Sequence, residues 1–133
     1  MKSRLSVLLF SLTLLLAIAV DARTLQDKKP KLFIGSLEYS FGTVSAGTPL
    51  NYSFKLQNIG DGNLEIKNVE PACGCTASDY DKVIAPGKEG KISLSIKDTE
   101  SYNGDVVKTA TVTTNDPARP TFTLTLRATF TRD

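Results

Sequence analysis

The chain has 133 residues, with 16 basic and 14 acidic side chains, a formal net charge of +2, no histidine and no tryptophan. That length implies one domain, and charge so near balance, spread along the sequence, gives no electrostatic footprint for nucleic acid or an anionic membrane surface. Without histidine there is no Ser–His or Cys–His nucleophile and no histidine-built zinc site.

The N-terminus reads as a targeting segment. Lys2 and Arg4 precede an apolar run from Leu5 to Val20, and Val20-Asp21-Ala22 offers small residues at the spacing of a cleavage site. The run is short of the ~20 residues that a spanning helix needs. Residues 1–22 are therefore expected to be a cleaved signal peptide, with export to the periplasm or beyond and no membrane insertion afterwards. Residues 23–30, polar and carrying Lys28-Lys29-Pro30, are expected to form a flexible leader. The domain is expected to span 31–133.

From Lys31 onward the pattern has period two. Tyr52, Phe54 and Leu56 alternate with Ser53, Lys55 and Gln57, and Ile92, Leu94 and Ile96 with Ser93, Ser95 and Lys97. Phe122, Leu124, Leu126, Ala128 and Phe130 alternate with Thr121, Thr123, Thr125, Arg127 and Thr129. Such alternation is that of half-buried strands. Gly42, Gly47, Gly60-Asp61-Gly62, Pro86-Gly87, Asn103-Gly104 and Asn115-Asp116-Pro117 punctuate the runs with turn chemistry. Strands are predicted near 31–36, 38–41, 49–58, 63–70, 81–85, 90–98, 105–114 and 120–131. The expected class is all-β, an immunoglobulin-like antiparallel β-sandwich of seven to eight strands. The tryptophan of antibody domains is absent, so Phe41, Tyr52, Phe54, Phe122 and Phe130 are expected to supply the bulk of the core.

Several local signatures occur in order: Tyr39-Ser40-Phe41-Gly42-Thr43-Val44, Phe54-Lys55-Leu56-Gln57-Asn58-Ile59-Gly60, Cys73-Gly74-Cys75-Thr76, Ile84-Ala85-Pro86-Gly87 and Thr114-Asn115-Asp116-Pro117. Together they resemble the bacterial domain-of-unknown-function family 1573, itself similar to the immunoglobulin-like domains of ciliary and major-sperm-protein type. The resemblance covers about residues 37–128. It implies a seven-stranded sandwich in an exported bacterial protein, no established activity, and relatives that act as binding and targeting modules.

Chemistry-bearing side chains are few. The acids, among them Glu38, Asp61, Glu65, Asp79, Asp81, Glu89 and Asp105, fall on the polar phase of strands or in turns, where solvated charge is the ordinary role. No glycine-rich stretch joins a strand to a helix, so a nucleotide site has no support. Asn51-Tyr52-Ser53 matches a glycosylation acceptor, but the resemblance is to a bacterial family, so Asn51 reads as a surface strand residue.

Cys73 and Cys75 are the pair that could carry chemistry. Residues two apart on a strand lie on one side with Cα atoms about 6.6 Å apart, near the upper limit for a disulfide. Four roles stay open: packing at a turn, a local redox disulfide or one made with a partner, Cu(I) binding by two thiolates, and covalent attachment to another molecule. Zinc is disfavoured for lack of further ligands.

The expected function is that of a non-enzymatic binding or scaffolding module whose partner is another envelope protein. It would be contacted through an exposed sheet edge or the Cys73–Cys75 loop. The alternative is a thiol-redox or Cu(I)-binding protein using Cys73 and Cys75, copper being the sole candidate cofactor. Oligomeric state is left open by the sequence.

Overall fold

Each alternating strand has one apolar face to bury, and two such sheets bury theirs against each other. The computed structural model describes residues 27–72 and 76–133. Nine strands occur among the described residues: β1 (Leu32–Ile34), β2 (Glu38–Ser45), β3 (Leu50–Asn58), β4 (Leu64–Pro71), β5 (Thr76–Tyr80), β6 (Val83–Ile84), β7 (Glu89–Ile96), β8 (Gly104–Thr114) and β9 (Thr121–Thr131). One sheet has the spatial order β1-β3-β7-β5 and the other β2-β9-β8-β4-β6. The expected immunoglobulin-like β-sandwich is thus what the chain adopts.

The alternation is realised residue by residue. In β9, Phe122, Leu124, Leu126, Ala128 and Phe130 are buried, while Thr121, Thr123 and Arg127 face solvent. Phe54 and Leu56 of β3 and Ile92, Leu94 and Ile96 of β7 close the core from the other sheet. Of the five aromatic residues expected inside, Phe54, Phe122 and Phe130 are buried, and Phe41 and Tyr52 pack half-buried at the margin.

Three details differ from the expectation. The strand count is nine rather than seven to eight because β5 forms over Thr-Ala-Ser-Asp-Tyr, a run with no apolar alternation. Backbone pairing to β7, from Thr76↔Ile96 to Tyr80↔Ile92, makes it a strand. The predicted strand 81–85 correspondingly shrinks to Val83–Ile84. Second, the sandwich is not wholly antiparallel. The chain leaves β1 at Gly35, crosses to the other sheet and runs beside β9 in parallel, from Glu38↔Thr125 onward. The register shifts between Ser40 and Thr43, where Gly42 takes φ +72°.

Third, the end of the supposed flexible leader 23–30 is built into the fold. The Lys29 amide donates to Asp61 Oδ1 at 2.8 Å, and the Lys29 carbonyl accepts from the amides of Asp61 and Gly62. A Cβ on Gly60 would sit 2.3 Å from the Lys29 carbonyl oxygen, so glycine at that position is what lets the two backbones meet. The same end is pinned by two buried polar side chains. Asn58 donates from Nδ2 to the carbonyls of Gly62 and Ile84 and accepts at Oδ1 from the amides of Lys31 and Gly60. Asp116 accepts from the Leu32 and Ala118 amides at 2.8 and 2.9 Å. Buried polar groups matched in this way avoid the desolvation cost of unpaired ones.

Candidate functional site

A sandwich works on partners through its faces, loops or unpaired strand edges. The least protected edge here belongs to β3. Its neighbour β1 is three residues long and covers only Leu56–Asn58 of a nine-residue strand. The direction of each amide follows from antiparallel geometry, in which alternate residues bond to opposite neighbours. The Asn58 amide donates to the Lys88 carbonyl on the β7 side, whereas the Ile59 amide donates to the Lys31 carbonyl on the β1 side. Even-numbered residues of β3 therefore serve β7, and odd-numbered ones face β1. Past Ile34 the chain has left for the other sheet, so Asn51 and Ser53 direct N–H and C=O to a side where no strand pairs with them among the described residues.

Behind this edge an aromatic ladder closes the gap between the sheets. Tyr39 of β2 stacks on Tyr52 of β3 with centroids 3.7 Å apart and planes within 9°. Phe41 meets Tyr39 edge-on at 5.0 Å, and Phe54 meets Tyr52 edge-on at 4.8 Å. Beside the edge lies a groove of about 490 Å³ lined by Gly35, Ser36, Tyr52, Ser53, Phe54 and Lys55. Of the large exposed apolar side chains, Phe33, Leu37 and Tyr39 all lie on this flank.

The other edge strands are bulged or short. β2 is bulged at Gly42, which twists an edge away from pairing. β6 has two residues. β5 leans on β4, with Ser78 Oγ donating to the Val69 carbonyl at 3.4 Å.

The outer face next to the open edge carries an unusual charge pattern. Lys55 and Lys91 are directly opposite each other across β3 and β7, an arrangement that repels. Ser53 and Ser93, the next outward pair, share a hydrogen bond of 2.6 Å. Among the described residues the ion pair formed is Arg127–Glu38, on the opposite sheet.

Cys73 and Cys75 lie outside the described residues. Their flanks are placed: the Ala72 amide donates to the Thr109 carbonyl at 2.9 Å, and Thr76 pairs with Ile96. The connection thus passes from β4 in one sheet to β5 in the other, two strands away from β3. Among the described residues no three His, Cys, Asp or Glu side chains come together as a metal site. Several of the acids have structural partners instead: Asp61 holds Lys29, Asp81 Oδ2 accepts the Lys91 amide at 2.9 Å, and Asp105 accepts from Thr129 Oγ1 at 2.7 Å.

The sequence implies a sheet edge as a contact surface without locating it. The signal was present in the shortness of Leu32-Phe33-Ile34 before Gly35-Ser36, too little apolar chain to cover all of β3. The predicted strand 31–36 concealed it by counting Gly35 and Ser36 as strand.

Comparison with known proteins bears on this architecture. Residues 33–130 match the model of the family described as "Protein of unknown function (DUF1573)". The chain belongs to this family. Among solved structures, a protein of unknown function from Porphyromonas gingivalis superposes with a TM-score of 0.64 at 18% identity, over 77% of this chain and 46% of that one. The chain thus spans about half the length of that protein. The seventh PapD-like (ASH) domain of human CEP192 superposes with a TM-score of 0.58 at 14% identity, covering 77% and 87%. A chain of the CsuC–CsuE chaperone–tip adhesion subunit pre-assembly complex of Acinetobacter baumannii gives 0.50 at 13% identity, covering 75% and 52%. At these identities the likeness is one of fold. Among curated proteins none matches the chain.

Proposed function

We propose that this DUF1573 domain is an exported, non-catalytic binding module that captures an extended segment of another envelope protein along the open edge of β3. The observation that carries this is that the main-chain groups of Asn51 and Ser53 point to a side where no strand pairs with them among the described residues, and that Ser53 lines a groove together with Tyr52 and Phe54. Strand addition needs unpaired main-chain donors and acceptors for affinity and side-chain pockets for choice, and this edge has both. The absence of histidine and the structural engagement of Asp61, Asp81 and Asp105 favour binding over catalysis. A PapD-like fold is compatible with such work, since one neighbour of this shape comes from a chaperone–subunit pre-assembly complex.

The test is Ser53→Pro. The Ser53 amide faces away from β7, so proline removes no ladder hydrogen bond, and proline is tolerated at such edge positions. Capture of partner protein from envelope extract should fall at least about tenfold, a loss of ~1.4 kcal/mol, while thermal unfolding stays within about 1 kcal/mol of the unsubstituted protein. Capture that survives Ser53→Pro but is lost in Ser78→Pro would move the site to β5. Capture that survives both would remove strand addition.

A further inference from the structure

We infer that the segment taken up by the β3 edge is acidic and apolar in alternation, a carboxylate lying outward beside Lys55 and Lys91 and apolar side chains turning inward onto Tyr39 and Tyr52. This rests on β3 being the binding edge and specifies what that edge selects.

A strand laid beside Asn51–Lys55 inherits the pleat of its host, so its side chains alternate between two environments. Its inward residues enter the margin between the sheets, where Tyr39 and Tyr52 stack at 3.7 Å and Tyr39 remains exposed. That wall offers ring surface without a charge, so an apolar side chain is what it accommodates. Its outward residues lie in the row of Asn51, Ser53 and Lys55. There Lys55 is already opposed by Lys91 on its other side, and neither lysine forms an ion pair among the described residues. Acids share this face without forming an ion pair to either lysine among the described residues. Asp81 is turned to the Lys91 amide at 2.9 Å. Glu89 is opposite Gln57 and Asp79 is opposite Ser93, each two residues along the strands from the lysine pair and so diagonal to it.

Like charges facing each other across strands repel, and opposite charges attract. An incoming carboxylate beside Lys55 makes a favourable cross-strand pair and screens the Lys55–Lys91 repulsion. An incoming lysine would create a third like charge in one row. The edge therefore discriminates by sign on its outer side and by polarity on its inner side.

The experiment uses three synthetic peptides of equal length, alternating Val/Asp, Val/Lys and Ser/Asp, titrated to millimolar concentration into the purified protein. Amide NMR shifts and hydrogen exchange are read together. The Val/Asp peptide should slow exchange at the Asn51 and Ser53 amides. The Val/Lys peptide should bind about fivefold to tenfold more weakly, from the reversal of one cross-strand charge pair, and the Ser/Asp peptide more weakly still. Lys55→Glu should invert the order of the Val/Asp and Val/Lys peptides. Equal binding of those two at Asn51 and Ser53 would overturn the charge selection while leaving the edge as a binding site. Equal binding of Ser/Asp and Val/Asp would overturn the apolar inner requirement. Failure of every peptide to slow Asn51 and Ser53 would overturn strand addition at β3 itself.

Discussion

The two flanks of the sandwich solve one problem in different ways. On each, a segment starts in one sheet and finishes in the other: β1 into β2 on one flank, β5 into β6 on the other. The β5/β6 flank is shut by short-range fits. Ser78 Oγ meets the Val69 carbonyl, Asp81 meets the Lys91 amide, and the Cα of Gly90 lies so close to Ile84 that an added Cβ would be 2.3 Å from its Cδ1. The β1/β2 flank is spanned by aromatic rings, and on the side away from β7 the part of β3 before Leu56 has no strand partner among the described residues. The crossing point explains the difference. β1 leaves after three residues and cannot cover what lies beyond Leu56, whereas β5 runs five residues along β7 before it departs. Where the crossing falls decides whether a flank is closed by its own chain or open to another.

The largest expected effect is in hydrogen exchange along β3. Amides of Tyr52 and Phe54, bonded to β7, should exchange at the rate of global unfolding, and those of Asn51 and Ser53, their immediate neighbours, near the rate of an exposed loop. A contrast of about a hundredfold or more between adjacent residues is expected for amides that open globally against ones already open. Equal protection of all four would mean that β3 is covered, and the two flanks would then be alike.

A glycine pair sharpens the same comparison. Gly35 sits where β1 departs and an added Cβ would meet nothing within 4 Å, whereas at Gly90 it would press on the buried Ile84. Gly90→Ala should cost about 1–2 kcal/mol as overpacking. Gly35→Ala should be neutral or stabilising by up to ~1 kcal/mol through the unfolded chain. Urea unfolding of the two variants decides the matter. A costly Gly35→Ala would show that the open flank is packed after all.

How much of this was legible beforehand depends on the residue. Fold class and core were, because Phe122, Leu124, Leu126 and Ile92, Leu94, Ile96 write their burial into a period of two. β5 was not, because Thr76–Tyr80 owes its strand to β7 and not to its own side chains. The parallel β2–β9 pair was not, because direction within a sheet depends on where the chain crosses, and Gly35-Ser36-Leu37 reads as well for a tight turn as for a crossing. Asn58 and Asp116 stood in recognisable turn motifs, yet their burial depends on Lys31 and Leu32 arriving from far along the chain. The open edge is the same kind of fact: its one trace is the shortness of Leu32-Phe33-Ile34 before Gly35-Ser36, and what that leaves uncovered depends on which strand β1 pairs with. Cys73 and Cys75 are chemically conspicuous, whereas the edge consists of main-chain atoms of Asn51 and Ser53 that any residue would supply.

The smallest effect concerns what holds the open flank together in the absence of backbone pairing. Tyr39 and Tyr52 come from different sheets, so their stack is a tie between layers that the hydrogen-bond ladders do not provide. Offset-stacked and edge-to-face aromatic pairs contribute about 0.5–1.5 kcal/mol beyond the area they bury, and a double-mutant cycle isolates that part. Tyr39→Ala and Tyr52→Ala should each destabilise, and the double variant should fall short of their sum by about 1 kcal/mol. The same cycle between Ser78→Ala and Val69→Ala on the other flank should give almost no coupling, because the Val69 carbonyl that Ser78 meets is retained in alanine. Additivity at Tyr39 and Tyr52 would mean that the stack bears no tie between the sheets, and the β1/β2 flank would have to be held by the β2–β9 pairing alone.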